Sequence, residues 1–177
     1  LENVTIDAEG NALGLWRAVQ QATGDDDAPL PYWGFAWSGG LALAQYLQER
    51  PATVDGKRVL DLASGSGLVA IAAMRAGADR VFASDTDPFA HAAIDRNARA
   101  NHVRITAVPR DLLDEAPPDV DIILAGDCFY EAGLAGRAAA WFARAHSAGI
   151  AVLIGDPGRR YLPTQDLLER ASYQVRT

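Results

Sequence analysis

The chain has 177 residues, 49% of them hydrophobic, enough to bury one core and too few to expect two domains. Sixteen Lys and Arg against twenty-three Asp and Glu leave a formal net charge of −7. That is the wrong sign for non-specific binding along a phosphate backbone, so a nucleic-acid partner is disfavoured and a basic protein segment suits the surface better.

The first 58 residues read as a helical and aromatic cover. An amphipathic helix is expected over 11–23, an acidic loop at Asp25 to Asp27, a helix over 41–49 and a polar turn over 51–58. From residue 59 onward, short β-branched runs alternate with Ala-rich stretches, the mark of a mostly parallel sheet covered on both faces. Strands are expected at 59–62, 80–84, 105–108, 121–126 and 150–155, with a last one starting near Tyr173. Helices are expected at 68–76, 88–101, 134–145 and 165–171. Asp87 suits the cap of the second of these, with Pro88 at its first position, and Gly77 suits a left-handed residue closing the first. The whole reads as one doubly wound, Rossmann-like α/β domain over 1–177, with strand order 3-2-1-4-5 and the final strand beyond. Because the sequence stops where that strand begins, the closing hairpin is expected to be truncated.

Cys128 is the only cysteine, so no internal disulfide and no Cys-rich zinc site is expected, and a reducing cytoplasm fits. Beside Asp127 it suggests a nucleophile, yet no His lies near it and a small strand-end Cys reads as packing. His91, His102 and His146 lack metal-ligand spacing, so no metal is expected. The apolar runs are too short to span a bilayer and no leader opens the chain, which reads as soluble with no membrane partner.

Asp61-Leu-Ala-Ser-Gly65-Ser66-Gly67 runs from a strand into a Gly-rich turn and then a helix, leaving backbone N–H groups and side-chain-free positions for a ligand. Asp85, eighteen residues past Gly67, stands at the end of the next strand, placed for a ribose diol. These features point to an adenosine-type cofactor. Gly65, Gly67 and Ala70 also satisfy the dinucleotide pattern, which keeps a nucleotide-binding oxidoreductase open. Asp61 tells the two apart. Near a pyrophosphate its carboxylate repels, by about 1–4 kcal/mol at 4 Å, whereas it attracts the ammonium and sulfonium of S-adenosylmethionine. After the third strand, Asp111 and Leu112 fall where adenine finds one polar contact and one apolar wall.

An aromatic Pro31-Tyr-Trp-Gly-Phe-Ala-Trp37-Ser-Gly-Gly segment, Asp61-Leu-Ala-Ser-Gly-Ser-Gly, Ser84-Asp-Thr-Asp-Pro and Asp127-Cys-Phe-Tyr130 follow in that order. This series resembles the seven-strand protein lysine methyltransferases of methyltransferase family 16, and within it the branch acting on the β subunit of electron transfer flavoprotein. The resemblance spans roughly residues 30–177. It implies that Gly65, Ser66 and Gly67 wrap the methionyl part of S-adenosylmethionine, with Asp61 facing its ammonium and Asp85 its ribose. Asp111 and Leu112 would flank adenine, and Trp37 and Gly126 would close the pocket. Asp127 and Tyr130 would position the acceptor lysine, and S-adenosylhomocysteine would be the product. One departure is Ala63, which replaces the first glycine of the common loop and is tolerable there at negative φ. A second methyltransferase reading, transfer to an exocyclic amine or a side-chain amide, stays open because Asp127-Cys-Phe-Tyr130 is similar to the Asp-Pro-Pro-Tyr motif of those enzymes. Trp16 and Trp141 read as packing.

Overall fold

The computed structural model describes residues 4–6 and 12–175. Five strands, β1 (Arg58–Leu62), β2 (Arg80–Ser84), β3 (Thr106–Val108), β4 (Ile122–Gly126) and β5 (Ala151–Gly155), form one sheet in the order 3-2-1-4-5. Every adjacent pair is parallel, with Leu60 facing Phe82 on one side and Ile123 on the other. The helices are α1 (Ala12–Thr23), α2 (Ser38–Glu49), α3 (Leu68–Arg75), α4 (Pro88–Ala100) and α5 (Ala132–Ser147).

Successive strand residues point to opposite faces, and two apolar clusters follow from that. Val59, Val81, Ala83, Ile122 and Leu124 pack with Leu43 and Leu47 of α2, Ala70 and Ala73 of α3 and Ile94 of α4. Leu60, Leu62, Ile123 and Ala125 pack on the other face with Ala138, Trp141 and Phe142 of α5. A sheet buried on both sides explains why β4, Ile-Ile-Leu-Ala-Gly, reads as an unbroken apolar run. Trp141 is wholly buried and its indole N–H donates to the Glu115 carbonyl at 3.1 Å, while Trp16 donates to the Ala28 carbonyl at 2.7 Å. Both are the packing residues expected.

Local signals placed the elements well. Asp87 accepts from the Phe89 N–H at 2.8 Å, with Pro88 opening α4, and Gly77 has φ +96° after α3. Residue 11 of the first expected helix lies outside the described residues.

Three expectations are corrected. Helix α2 begins at Ser38, three residues before the expected start, because its third N–H, on Gly40, is satisfied from another element by Asp127. The helix expected over 165–171 is only a short 3-10 turn, Thr164–Asp166. Leu167 and Leu168 are 39% and 73% exposed, so an apolar face there finds nothing to bury against, and short helices depend on that burial. The strand expected near Tyr173 is irregular; its hydroxyl instead accepts from Arg50 and donates to Glu49, each at 2.8 Å, tying the segment to the end of α2. Among the described residues no helix is long and apolar enough to cross a membrane, and no group of three or more His, Cys, Asp or Glu gathers as metal ligands.

Candidate cofactor and acceptor cleft

A cleft opens at the carboxyl ends of β1 and β4, the usual ligand crevice of such a sheet. Asp61, Gly65, Ser66, Trp37, Gly126 and Asp127 line it, together with Phe35, Gly40, Ala63, Ser64, Leu68 and Val69. Gly67, Asp85, Asp111, Leu112 and Tyr130 do not.

Asp61, the next-to-last residue of β1, points to the α2–α3 face and is buried. Its Oδ2 accepts from the Ser64 hydroxyl at 2.5 Å and the Ala70 N–H at 3.0 Å, so the loop and the start of α3 are fastened to one carboxylate oxygen. Burial pushes its carboxyl up to about 7; the bonds from Ser64 and Ala70 work against that, and the charge on Asp85 adds to it. Asp85 is tied to the same loop. Its Oδ2 accepts from the Gly65 N–H at 2.8 Å and its Oδ1 from the Asp87 N–H at 3.0 Å. Each oxygen keeps a lone pair able to accept a further hydrogen bond.

Gly67 caps α3 in the left-handed region at φ +82°, where a Cβ would lie 3.4 Å from Ile94 of α4. It shapes the turn without lining the cleft. Asp111 is exposed and paired with Arg137 at 2.8 Å, and Leu112 belongs to the α5-side core.

Ala63, tolerable in place of glycine at negative φ, has φ +53° instead. The chain turns left-handed there so that the Ser64 N–H reaches the Ser84 carbonyl at 2.9 Å and its hydroxyl reaches Asp61. An L-residue in this region carries about 1–2 kcal/mol of strain, part of which the freer unfolded chain of a glycine variant offsets. Ala63→Gly is therefore expected to gain about 0.5–1 kcal/mol, raising the thermal midpoint by about 2–3 °C. An unchanged or lower midpoint in a melting experiment removes the strain.

Asp127 also has φ +58° and is 8% exposed. Its Oδ2 accepts from the Gly40 N–H at 2.9 Å, its own N–H donates to the Gly155 carbonyl at 2.8 Å, and its Oδ1 accepts from Arg159 Nη2 at 2.7 Å. The sequence pairs Asp127 with an acceptor lysine and points to no cation within the chain. Arg159, thirty-two residues on, carried no sequence signal.

Around the mouth, Tyr32, Trp37 and Tyr130 are 45%, 39% and 48% exposed, with the Tyr32 ring 5.9 Å from Trp37 and 5.5 Å from Tyr130. The Trp37 indole N–H donates to the Tyr32 carbonyl at 2.8 Å, which fixes its ring. Burial, with Tyr32, Glu131 and Asp85 nearby, pushes the Tyr130 hydroxyl up, so it stays protonated and offers no strong base. Cys128 is buried and its thiol is pushed up to about 12, chiefly by that burial, so it is inert.

Two carboxylates, Asp61 and Asp127, line the cleft, and among the described residues the cation nearest them is Arg159, which pairs with Asp127 from the mouth. That donor set fits the ammonium and sulfonium of S-adenosylmethionine. It does not fit a pyrophosphate, which would meet Asp61 with Asp85 close behind.

Residues 42–126 match the family model for ribosomal protein L11 methyltransferase. Over 131 residues, 73% of this chain and 51% of the relative, the sequence is 43% identical to the electron transfer flavoprotein β subunit lysine methyltransferase of Mus musculus. The Homo sapiens protein of that name is 42% identical over 133 residues, 73% of this chain and 50% of its own. The chain thus spans about half the length of these curated relatives. Among solved structures, a ribosomal protein L11 methylase from Lactobacillus delbrueckii subsp. bulgaricus superposes with TM-score 0.51 at 29% identity, covering 62% of this chain and 56% of that one. A 16S rRNA methyltransferase from T. thermophilus, in complex with AdoMet and guanosine, gives TM-score 0.55 at 26% identity, covering 73% and 38%. The fold is the Rossmann-like fold of S-adenosylmethionine-dependent methyltransferases.

Proposed function

For a chain homologous over 131 residues to the electron transfer flavoprotein β subunit lysine methyltransferases, we propose transfer of methyl groups from S-adenosylmethionine to the side-chain amine of lysine in a protein. The protein we assign is the β subunit of electron transfer flavoprotein, the one in those relatives' name. What carries the reading is a cleft lined by two carboxylates, one at the loop and one beside exposed aromatic rings that already holds a cation, the Arg159 guanidinium.

Bound there, S-adenosylmethionine supplies an electrophilic methyl group and leaves as S-adenosylhomocysteine. The chain's own residues have to hold and orient. Asp61 faces the cofactor's ammonium, Gly65 and Ser66 give it backbone close at hand, and Asp85 accepts from ribose. At the mouth, Asp127 orients the acceptor's ammonium, and Trp37 and Tyr130 exclude water from it. Lysine with a pKa near 10.4 is almost wholly protonated at pH 7. Desolvation between those rings lowers that value, and the proton leaves to solvent. In-line placement at near-attack distance supplies most of the remaining barrier reduction. A formal charge of −7 suits a basic protein segment more than a nucleic acid, and the single, buried Cys128 fits a reducing cytoplasm.

The test is incubation with methyl-labelled S-adenosylmethionine and purified electron transfer flavoprotein, alongside the protein and nucleic-acid fractions of a cell extract, followed by mass spectrometry. Label on a lysine of the β subunit is expected. Label in nucleic acid favours the exocyclic-amine reading, label on another protein replaces the substrate, and no label anywhere removes methyl transfer.

A pH dependence follows from Asp61. Its folded pKa lies above the unfolded value, so folding favours the protonated form, and that contribution to stability is lost as pH rises towards about 7. A ligand ammonium favours the opposite, ionised form. The dissociation constant of S-adenosylhomocysteine should therefore rise about tenfold per unit as pH falls below about 7, and Asp61→Asn should flatten that slope. Calorimetry across this range decides it; an equally steep slope in the variant assigns the proton elsewhere.

A further inference from the structure

Arg159 sits in the loop after β5, where Asp156 folds the backbone by accepting from the Gly158 and Arg159 N–H groups at 2.8 and 2.6 Å, both on Oδ1. Its guanidinium bonds Asp127 at 2.7 Å and lies 5.9 Å from the Trp37 ring centroid. A carboxylate oxygen and an aromatic face are the two contacts an incoming alkylammonium needs at this mouth. Arg159 already makes both.

A second observation stands beside that one. Arg159 Nε and Asp156 Oδ2 are buried without a hydrogen-bond partner, and they face each other at 3.9 Å. Both groups are bonded through other atoms, Asp156 through Oδ1 and Arg159 through Nη2, yet a buried polar atom without a hydrogen bond calls for a reason. Each here is the partner the other lacks. Closing that gap would turn the guanidinium towards Asp156, and a gate needs that turn to take Nη2 off Asp127.

We propose that Arg159 gates the acceptor slot: it occupies Asp127 and covers Trp37 in the free protein, and a substrate amine cation displaces it onto Asp156. This rests on the lysine-acceptor reading of the same site. Asp156 is then a harbour for the displaced cation, acting through Arg159 and never touching the acceptor. Primary amine cations with slender alkyl stems pass the gate, because they replace the guanidinium charge on Asp127.

Asp156→Asn keeps the Oδ1 acceptor of the turn and removes the charge of the harbour. Acceptor KM should rise about tenfold, as the open fraction falls by that factor, while kcat and the cofactor dissociation constant stay near wild type. Arg159→Ala should lower KM below wild type. In the double variant the Asp156→Asn effect should vanish, an epistasis that a merely structural loop residue does not show. Should Arg159→Ala fail to fold, Arg159→Met, which keeps a stem over Trp37, takes its place. An equal rise of KM from Asp156→Asn with and without Arg159, no change in any variant, or a higher KM in Arg159→Ala each overturns the gate.

A wild-type enzyme that methylates no lysine overturns the functional reading instead. The gate is then judged from the Arg159 Nε–H resonance during titration with n-butylammonium. A shift in wild type that is lost in Asp156→Asn supports it, and no shift rejects it.

Discussion

Asp127→Asn is expected to bind S-adenosylmethionine as wild type does and to methylate its acceptor at least about 100-fold more slowly, the order of loss that small misplacements near reacting atoms produce. Asparagine is the informative replacement. At φ +58° Asn is one of the few side chains as well tolerated as Asp, and its carbonyl oxygen still accepts from the Gly40 N–H. What disappears is the charge that pairs with Arg159 and, in the proposed reaction, orients the acceptor's ammonium. Alanine would mix effects. It would strain the backbone, leave the third N–H of α2 unsatisfied and strip Arg159 of its partner, so slow turnover would not separate chemistry from folding. Cofactor dissociation constant and single-turnover rate, measured on the same Asn variant, settle the role. If the two fall together, Asp127 belongs to the cofactor pocket and not to the acceptor. Tyr130→Phe should show a milder loss, since its ring borders Tyr32 while its hydroxyl stays protonated.

The second large effect is structural. Gly155→Ala should cost about 3 kcal/mol or more and weaken cofactor binding with it. A Cβ on Gly155 would lie 2.1 Å from the Gly39 carbonyl oxygen and 2.7 Å from Leu43 Cγ, and one on Gly39 would lie 2.2 Å from the Gly155 carbonyl oxygen. Backbone meets backbone there, so no rotamer change relieves the clash and α2 must lift from the end of β5. That motion also pulls the Gly40 N–H off Asp127. Gly136→Ala makes the contrast. It lies within α5 with nothing near its added methyl, and should stabilise by about 0.5–1 kcal/mol. Denaturant unfolding of both variants checks the pair; Gly155→Ala at wild-type stability would show that α2 does not depend on this approach.

The sequence by itself determined the frame. Alternation of β-branched and Ala-rich runs located all five strands to within a residue at each end, and the Asp87–Pro88 pair placed the start of α4. The sheet order followed from reading that alternation as a doubly wound, Rossmann-like domain. The Asp61-to-Gly67 loop and Asp85 were legible too, because a turn, a cap or a helix start is set by groups within a few residues of one another, and such groups meet in any fold that contains the element. Tertiary structure alone decided the rest. Whether 165–171 forms a helix depended on a surface to cover Leu168, which the described residues leave 73% exposed. The positive φ of Ala63 came from a bond to Ser84 on the next strand. The early start of α2 came from a carboxylate eighty-seven residues away, and the pairing of Arg159 with Asp127 crossed between two loops. Buried ion pairs and close backbone approaches join residues remote along the chain, and they depend on distances in space that no periodicity records.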